Sequence, residues 1–332
     1  FIQGMRMLAG VRLGSDEADD STAGWTRVTA GDWLNETLQQ LRDPSGVVGC
    51  EPGRDLNATL RPYQVDGVRW LWFMTRLGLG ACLADDMGLG KTIQIIDLLL
   101  TLKREEPRQC NDSRSQADGR TSLLIVPASL VGNWKSEFER FAPTLKVLYA
   151  HRSECDADTL KQIANSPSKE LAKCYVVVTT YGLARRLDWL SKLDWKLIVL
   201  DEAQAIKNAS SAQAKSIRKL KSSGRIALSG TPVENHLGEL WSLFDFCCPG
   251  LLGNATQFKK FVKELNKRQD TQAYGGLRKL VRPYLLRRMK TDPGIVPDLP
   301  EKTEMRAECG LSKKQVTLYE KTLKDLEKQL ES

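Results

Sequence analysis

The sequence predicts an α/β fold in which a doubly wound parallel sheet is followed, on its C-terminal side, by a helical insertion. Three observations support this fold class. Six short apolar runs are continuous rather than alternating, as expected of strands covered by helices on both faces. Segments with helical periodicity lie between these runs, which is typical of the crossover connections of a parallel sheet. Beyond Pro232 the strand-like runs stop, and the sequence becomes helical and basic.

The predicted elements follow one another in a regular order. A helix that starts at Pro62 precedes the first strand, because apolar residues recur at helical spacing from Val65 to Trp72. The predicted strands are Ala81–Ala84, Ser122–Val126, Leu145–Tyr149, Tyr175–Val178, Lys196–Leu200 and Arg225–Leu228. The predicted crossover helices are Thr92–Leu102, Leu130–Phe141, Leu160–Asn165 and Ala212–Leu220. Polar loops are predicted over 103–120 and 152–173. Apolar residues recur at helical spacing over Thr26–Leu41, but this segment contains no candidate functional residue.

The composition is that of a globular protein with an uneven charge distribution. Of the 332 residues 41% are hydrophobic and 27% are charged, and the net charge is +8. The stretch from Lys259 to Lys290 contains eleven Lys or Arg residues and only two acids, a local net charge of +9. The rest of the chain is therefore close to neutral. This charge permits a nucleic-acid partner without requiring one. The lysines of this stretch predict either a solvated helix face or a DNA contact.

The cysteines and the apolar runs exclude several classes of protein. The eight cysteines are scattered and form no C-x-x-C pair, so neither a disulfide scaffold nor a zinc site has support. Apolar runs such as Leu123–Val126 are far too short to cross a bilayer, and the first residues lack a signal-peptide layout. We therefore expect a reducing, intracellular compartment and no membrane partner.

The stretch LADDMGLGKT, residues 83–92, predicts a phosphate-binding loop. It follows a predicted strand and opens a predicted helix, as the pattern G-x-x-x-x-G-K-[ST] requires, although Asp85 stands where that pattern has glycine. Glycines let the backbone approach a phosphate, and the helix start and a lysine supply positive charge. The candidate nucleotide-binding residues here are Asp86, Met87, Gly88, Leu89, Gly90, Lys91 and Thr92.

A pair of acids after another predicted strand completes a triphosphate site. The buried run Leu197–Leu200 leads directly into Asp201 and Glu202, which places two carboxylates at the carboxyl end of a strand. Asp201 and Thr92 are predicted to hold a magnesium ion that accompanies the nucleotide. Glu202 is predicted to position and deprotonate the attacking water, so the candidate catalytic residues are Lys91, Asp201 and Glu202.

Three stretches in this order resemble one family: LADDMGLGKT (83–92), LIVLDEAQAIKN (197–208) and LSGTPVEN (228–235). They look like the first RecA-like lobe of superfamily II helicase-like enzymes, and more narrowly of the SWI/SNF-type (Snf-two) double-stranded-DNA translocases. In that family an acid at the first loop position is usual, so Asp85 agrees with the resemblance. The resemblance covers roughly residues 58 to 325. Motif variants such as DEAQ resemble those of bacterial and archaeal members of the family.

The resemblance implies further site residues. In LRPYQVDGVRWL, residues 60–71, Gln64 would hydrogen-bond the adenine of ATP. Gln204, Ser229 and Thr231 would couple hydrolysis to lobe movement. The residues expected to contact the DNA backbone, independently of base sequence, are Ser129, Asn133, Thr179 and Thr180. The implied cofactors are ATP and Mg²⁺.

The resemblance also implies a domain organisation. The expected segments are 1–55, the end of an upstream region; 56–233, the first RecA-like lobe; 234–290, a helical protrusion; and 291–332, a connector and lead-in helix. That helix, Ser312–Leu330, would lead to a second RecA-like lobe that carries arginine fingers. Without that lobe we expect the chain to be nearly inactive as an ATP hydrolase.

Two functions are carried forward. The first is the ATP-binding lobe of a DNA-dependent ATPase that translocates along double-stranded DNA. The alternative is a nucleotide-dependent docking module that binds a protein partner, such as RNA polymerase or a chromatin or defence complex, without translocating. We expect a cytoplasmic, nucleoid-associated protein if the source is bacterial or archaeal and a nuclear one if it is eukaryotic.

Overall fold

The computed structural model describes residues 2–9, 11, 49–105, 120–233, 236–267, 274–296, 305–306 and 310–330. The chain divides into two compact units, Phe1–Ile295 and Val296–Ser332. The first unit contains the sheet and every candidate site residue. The helical period predicted over Thr26–Leu41 and most of the predicted loop 103–120 lie outside the described residues.

The described part of the first unit is built on a parallel sheet of seven strands. The strands are β1 Ala81–Leu83, β2 Ser122–Val126, β3 Val147–Tyr149, β4 Val176–Thr180, β5 Asp194–Leu200, β6 Lys221–Leu228 and β7 Leu285–Leu286. Their order across the sheet is β3-β4-β2-β5-β6-β1-β7, and every neighbouring pair is parallel. The predicted α/β class and all six predicted strands are confirmed, since a parallel pair needs the crossover segments found between them.

Helices connect and cover these strands. In the described part of the first unit they are α1 Ile2–Leu8, α2 Pro62–Arg76, α3 Lys91–Arg104, α4 Val131–Phe141, α5 Ala157–Asn165, α6 Pro167–Leu171, α7 Tyr181–Ala184, α8 Ala212–Arg218, α9 Leu237–Cys247, α10 Ala255–Lys267 and α11 Gly275–Val281. The four predicted crossover helices are confirmed as α3, α4, α5 and α8. Within the described ranges, no helix is both long enough and apolar enough to span a bilayer.

The core lies between the sheet and its helices. All five residues of β2 and all five of β4 are buried, as the continuous apolar runs predicted. Large side chains from the helices fill the adjoining layer, among them Trp70 on α2 and Trp134 and Phe138 on α4, each at most 2% exposed. Burial of apolar area on both faces, at about 25 cal/mol per Å², fixes the strands and therefore the loops at their ends.

The helical insertion returns the chain to the sheet. After α9, α10 and α11, strand β7 pairs with β1, and the amide of Ala84 donates to the carbonyl of Leu286 at 2.7 Å. The expectation that strands end at Pro232 is therefore wrong, and the end of the predicted protrusion 234–290 belongs to the sheet. A two-residue strand has no periodicity that sequence analysis could detect.

The end of α9 lies directly against the start of β1. The thiols of Cys247 and Cys248 donate to the carbonyls of Ala81 at 3.3 Å and Gly80 at 3.4 Å. Any side chain at Gly80 would collide with the Cys247 carbonyl, so this position requires glycine. The insertion is thus packed on the sheet next to the strand that leads into the phosphate-binding loop.

The second unit, taken by itself, contains helix α12, Lys313–Leu330. The predicted amphipathic helix is confirmed at its expected position. Val316, Tyr319, Leu323 and Leu326 recur at intervals of three or four residues, which gives the helix one apolar stripe.

Candidate nucleotide-binding site

Three loops meet at the carboxyl edge of the sheet. One follows β1 and includes Lys91, the second follows β5 and begins at Asp201, and the third follows β6 at Ser229. Strand β6 lies between β1 and β5, so the loops are close neighbours. Lys91 lies close enough to Asp201 and Glu202 for their charges to act on it, so the lysine and the acid pair lie near one another at this edge.

The phosphate-binding loop takes a shape that depends on its glycines. Gly88 has φ +82° and Gly90 has φ +73°, a left-handed conformation that other residues adopt at a cost. Gly90 directly precedes α3, so the free amides at the start of that helix face the loop. Leu89 is buried and anchors the loop, whereas Met87 is exposed at its tip.

Lys91 is held by the loop itself. Its ammonium donates to the carbonyls of Asp85 at 2.7 Å and Asp86 at 3.3 Å. Burial lowers the pKa of Lys91, although the carboxylates of Asp85, Glu202 and Asp201 oppose this change. A partly buried ammonium whose hydrogen bonds go to neutral carbonyls keeps its positive charge for an anion.

Gln64 lies against the same loop. Its Nε2 donates to the Leu89 carbonyl at 3.2 Å, and its Oε1 accepts the Arg61 amide at 2.9 Å. The hydroxyl of Tyr63 donates to the same Leu89 carbonyl at 3.2 Å. The amide of Gln64 is therefore engaged within the protein here, and its contact with adenine stays a prediction.

Arg288 is a site residue that sequence analysis missed. The carboxylate of Asp85 is fully buried, and it accepts the Arg288 Nε–H at 2.9 Å and the Arg288 amide at 3.1 Å. The guanidinium also bonds the second oxygen of Asp85, the Tyr63 carbonyl and, at 2.9 Å, Gln94 Oε1. The acid in place of the usual glycine thus has a structural reason: it binds an arginine that lies 203 residues further along the chain.

Asp201 is fixed at the end of β5 by its neighbours. Its Oδ2 accepts the Trp134 indole N–H at 2.8 Å, and its Oδ1 accepts the Glu202 amide at 2.9 Å. Burial raises the pKa of Asp201. A carboxylate has about four lone-pair sites, so two of them remain for a metal or its bound water. The donor set formed by Asp201 and Thr92, which is half-buried at the start of α3, therefore fits a magnesium ion.

Glu202 is connected to the third loop by hydrogen bonds. Its Oε2 accepts Gln204 Nε2–H at 2.6 Å, and Gln204 Oε1 accepts the Ser229 hydroxyl at 3.4 Å. The Ser229 oxygen in turn accepts the amide of Thr231 at 3.2 Å. The three predicted coupling residues thus form one connected network with the predicted base.

The residues predicted to contact DNA fall into two groups. Ser129 and Asn133 are exposed just beyond the carboxyl end of β2. Thr179 is fully buried and its hydroxyl donates to the Ala150 carbonyl at 3.1 Å, whereas the Thr180 hydroxyl accepts the Leu183 amide at 3.4 Å and caps α7. The Thr179 hydroxyl is therefore engaged within the protein, and its contact with DNA stays a prediction.

Comparisons with known proteins give relatives of one kind. The family model described as SNF2-related domain matches residues 63–331. YwqA of Bacillus subtilis, named as an ATP-dependent helicase/translocase, is 41% identical over 315 residues, which are 94% of this chain and 32% of that protein. The TATA-binding protein-associated factor MOT1 of Saccharomyces cerevisiae is 37% identical over 298 residues, 85% of this chain and 15% of that protein.

The solved structures agree with the curated relatives. The SWI2/SNF2 ATPase core of Sulfolobus solfataricus in complex with double-stranded DNA has 38% identity and a TM-score of 0.63, and covers 85% of this chain and 55% of its own. The same core without DNA gives a TM-score of 0.62 at 38% identity, covering 83% of this chain and 53% of its own. This chain thus spans a third or less of the two curated relatives named above. The chain belongs to the SNF2-related domain family, as the sequence resemblance indicated.

Proposed function

We propose that this chain is the ATP-binding lobe of an ATP-dependent double-stranded-DNA translocase. The observation that carries the proposal is the proximity of Lys91 to the Asp201–Glu202 pair at the carboxyl edge of the sheet. A lysine on a glycine-containing loop and two carboxylates on a neighbouring strand are the groups that hydrolysis of a nucleoside triphosphate requires.

Each group has a role that its surroundings support. The amides of the loop around Gly88 and Gly90 would bind the phosphates, together with the Lys91 ammonium. Thr92 and Asp201 would hold magnesium, which when bound neutralises charge on the phosphates. Glu202 would orient a water molecule and accept its proton, and its bond to Gln204 fixes the carboxylate in place at 2.6 Å.

The network from Glu202 through Gln204 to Ser229 supports a coupling role. It joins the predicted base to the turn that follows β6, so a change at the phosphates can alter that turn. In the longer protein we propose that this turn transmits the nucleotide state to a second RecA-like lobe. Arginine fingers from that lobe would raise the rate by a factor of about 10³–10⁵, so the chain alone would bind nucleotide and turn it over very slowly.

Double-stranded DNA is the proposed nucleic-acid ligand, along which the longer protein would translocate. Ser129 and Asn133 are exposed next to the carboxyl edge of the sheet, and short polar side chains suit phosphate contacts that do not read bases. A solved relative at 38% identity is a complex with double-stranded DNA, which supports the same ligand for this chain. A protein partner for the longer protein, such as RNA polymerase or a chromatin or defence complex, is a further part of the proposal.

The proposal predicts the behaviour of two variants. In the protein that joins this chain to its second lobe, duplex DNA should stimulate ATP hydrolysis, and Lys91→Ala should abolish MgATP binding. Glu202→Gln should keep MgATP binding but lower the stimulated rate by roughly 10²–10⁴, because general-base catalysis is lost. Steady-state ATPase assays with and without DNA, and equilibrium binding of MgATP, measure the two effects.

Lys192→Gln is the matched control, because Lys192 is exposed and precedes the amino end of β5, at the opposite edge of the sheet. It should behave as the wild type does. Turnover that ignores duplex DNA and survives both site substitutions would contradict the proposal. Nucleotide-dependent binding of a protein partner without DNA-stimulated turnover would instead favour the docking module.

A further inference from the structure

Lys290, just beyond β7, extends its side chain over the phosphate-binding loop. Its Nζ lies 3.3 Å and its Cε 3.5 Å from the point that a Cβ atom on Gly88 would occupy. Gly88 is exposed near the middle of the loop, and its φ of +82° is part of the turn expected to surround the phosphates. The ammonium of Lys290 is therefore within reach of an anion bound by this loop.

The main chain of Lys290 is tied to the same loop. Its amide donates to Asp86 Oδ2 at 3.1 Å, and the amide of Asp86 donates to the Arg288 carbonyl at 3.0 Å. The turn that follows is closed by the Met289 amide, which donates to Asp292 Oδ2 at 2.7 Å. These contacts distinguish Lys290 from an ordinary surface lysine, because its backbone is hydrogen-bonded to the loop.

Arg288 fixes this attachment from the buried side. Its guanidinium is paired with the fully buried carboxylate of Asp85, the residue next to Asp86 in the loop. Arg288 and Lys290 are two residues apart, and they contact adjacent residues of the loop, Asp85 and Asp86. The buried arginine and the exposed lysine therefore engage successive parts of one loop.

We infer that Lys290 is a second phosphate-binding lysine of this site. The inference rests on the proposed nucleotide function and adds to it a cation supplied by the segment after β7. The ligand class is a nucleoside di- or triphosphate, because an ammonium at Gly88 lies beside the part of the loop that cradles the inner phosphates.

The test compares MgATP and MgADP binding by the wild-type chain and its variants at low ionic strength, using fluorescent nucleotide analogues or calorimetry. Lys290→Gln should raise the Kd of both nucleotides about tenfold, the effect of one partly exposed charge-assisted hydrogen bond. Lys290→Arg should stay within about threefold of the wild type, since the charge is kept. The affinity of Lys290→Gln should also depend less on salt, because one charge contact is gone.

Two further variants make the outcome specific. Arg287→Gln removes the same charge from an exposed neighbour on the same segment and should leave both Kd values unchanged. Lys91→Ala tests the proposed function independently and should abolish binding. If Lys91→Ala loses binding but Lys290→Gln binds as the wild type does, this inference is overturned and the proposed function stands.

Tighter binding by Lys290→Gln would also overturn the inference, because it would mean that Lys290 blocks the loop instead of binding the ligand. A wild-type chain that binds neither nucleotide would refute the proposed function, and the inference with it. If Lys290→Gln and Arg287→Gln weakened nucleotide binding equally, the cause would be the overall positive charge of the segment. This result would likewise contradict a specific contact with Lys290.

Discussion

Glu202 illustrates what a sequence does and does not reveal about one residue. Its identity and its place after a buried strand predicted a catalytic acid, and in the structure Glu202 lies near enough to Lys91 for the two charges to interact. The backbone conformation of Glu202 was not predictable in this way. Its φ is +49°, and it is the only non-glycine residue with positive φ in the described part of the chain. Such a conformation costs about 1–3 kcal/mol, and no residue-type preference of glutamate predicts it.

Asp97 is a buried acid that neither the sequence nor the proposed mechanism required. It lies on α3, is 1% exposed, and its Oδ2 accepts the Gly53 amide at 2.8 Å. Burial raises the pKa of Asp97 from 3.8 to about 6, although the Gly53 amide and Arg104 oppose the change. The folded protein therefore holds this proton more tightly than the unfolded chain does.

This difference predicts a pH-dependent stability. The contribution of Asp97 is fully present below about pH 4 and is lost as the pH rises through about 6, which amounts to roughly 3 kcal/mol for a shift of about two units. Asp97→Asn keeps a carbonyl oxygen for Gly53 but cannot ionise. Between about pH 4 and pH 8 its free energy of unfolding should fall by roughly 3 kcal/mol less than that of the wild type.

Urea unfolding at a series of pH values measures this quantity, and Asp158→Asn is the control, because Asp158 is an exposed acid on α5. The control should follow the wild-type pH dependence. Parallel curves for Asp97→Asn and the wild type would show that the carboxyl group ionises normally in the folded protein.

At the scale of elements, the periodic segments were predictable and the short ones were not. Helix α3 was predicted over Thr92–Leu102 and is found at Lys91–Arg104, because its apolar residues recur at helical spacing. Strand β7 was missed, since two leucines between a helix and two arginines show no period. Strand β7 is held by its backbone pairing with β1 and by the long-range bond between Arg288 and Asp85, and pairwise contacts of this kind leave no pattern in a single sequence.

The Asp85–Arg288 pair predicts a test of how β7 is anchored. Arg288→Ala leaves a buried carboxylate without its partner and should lower the free energy of unfolding by about 3–5 kcal/mol. The double variant Asp85→Asn, Arg288→Gln removes both charges and should be less destabilised than Arg288→Ala. Chemical denaturation of Asp85→Asn, of Arg288→Gln and of the double variant gives the coupling energy.

Arg287→Ala serves as the control for the neighbouring, exposed arginine and should change stability by no more than about 0.5 kcal/mol. If Arg288→Ala lowered the free energy of unfolding no more than Arg287→Ala does, β7 would be held by its backbone hydrogen bonds to β1 alone. The ion pair would then have no role in placing the segment.

For the whole molecule, the alternation of strands and helices predicted where the site would form. Parallel strands share a carboxyl edge, so the motifs after β1, β5 and β6 had to converge once the sheet was parallel. Surface placement was less predictable. Thr179 and Ser129 are both short polar residues near strand ends, yet Thr179 is fully buried and Ser129 is exposed, because this difference depends on which face of the strand or turn meets the core.

The proposed DNA surface predicts a charge effect. Asn133→Asp places a negative charge on the exposed start of α4 and should weaken binding of duplex DNA by roughly tenfold at low salt. The affinity should be alike for duplexes of unrelated sequence, because backbone contacts do not read bases. Fluorescence anisotropy over a range of salt concentrations measures the affinity and its salt dependence.

Ser191→Asp is the matched control, since it introduces the same charge at an exposed position beyond the amino edge of the sheet. It should bind DNA nearly as well as the wild type. Equal losses in the two variants would mean that overall charge, and not the surface around Asn133, determines the affinity.

The packing of α9 against β1 has a chemical consequence for the molecule. Cys82, Cys247 and Cys248 are all buried at this junction, and burial raises the pKa of Cys82 and Cys248 to about 12. Only a thiolate attacks oxidants and alkylating reagents, and almost none forms at neutral pH. Cys82 in the strand before the predicted phosphate-binding loop and the two thiols at the end of α9 should therefore react slowly with oxidants at neutral pH.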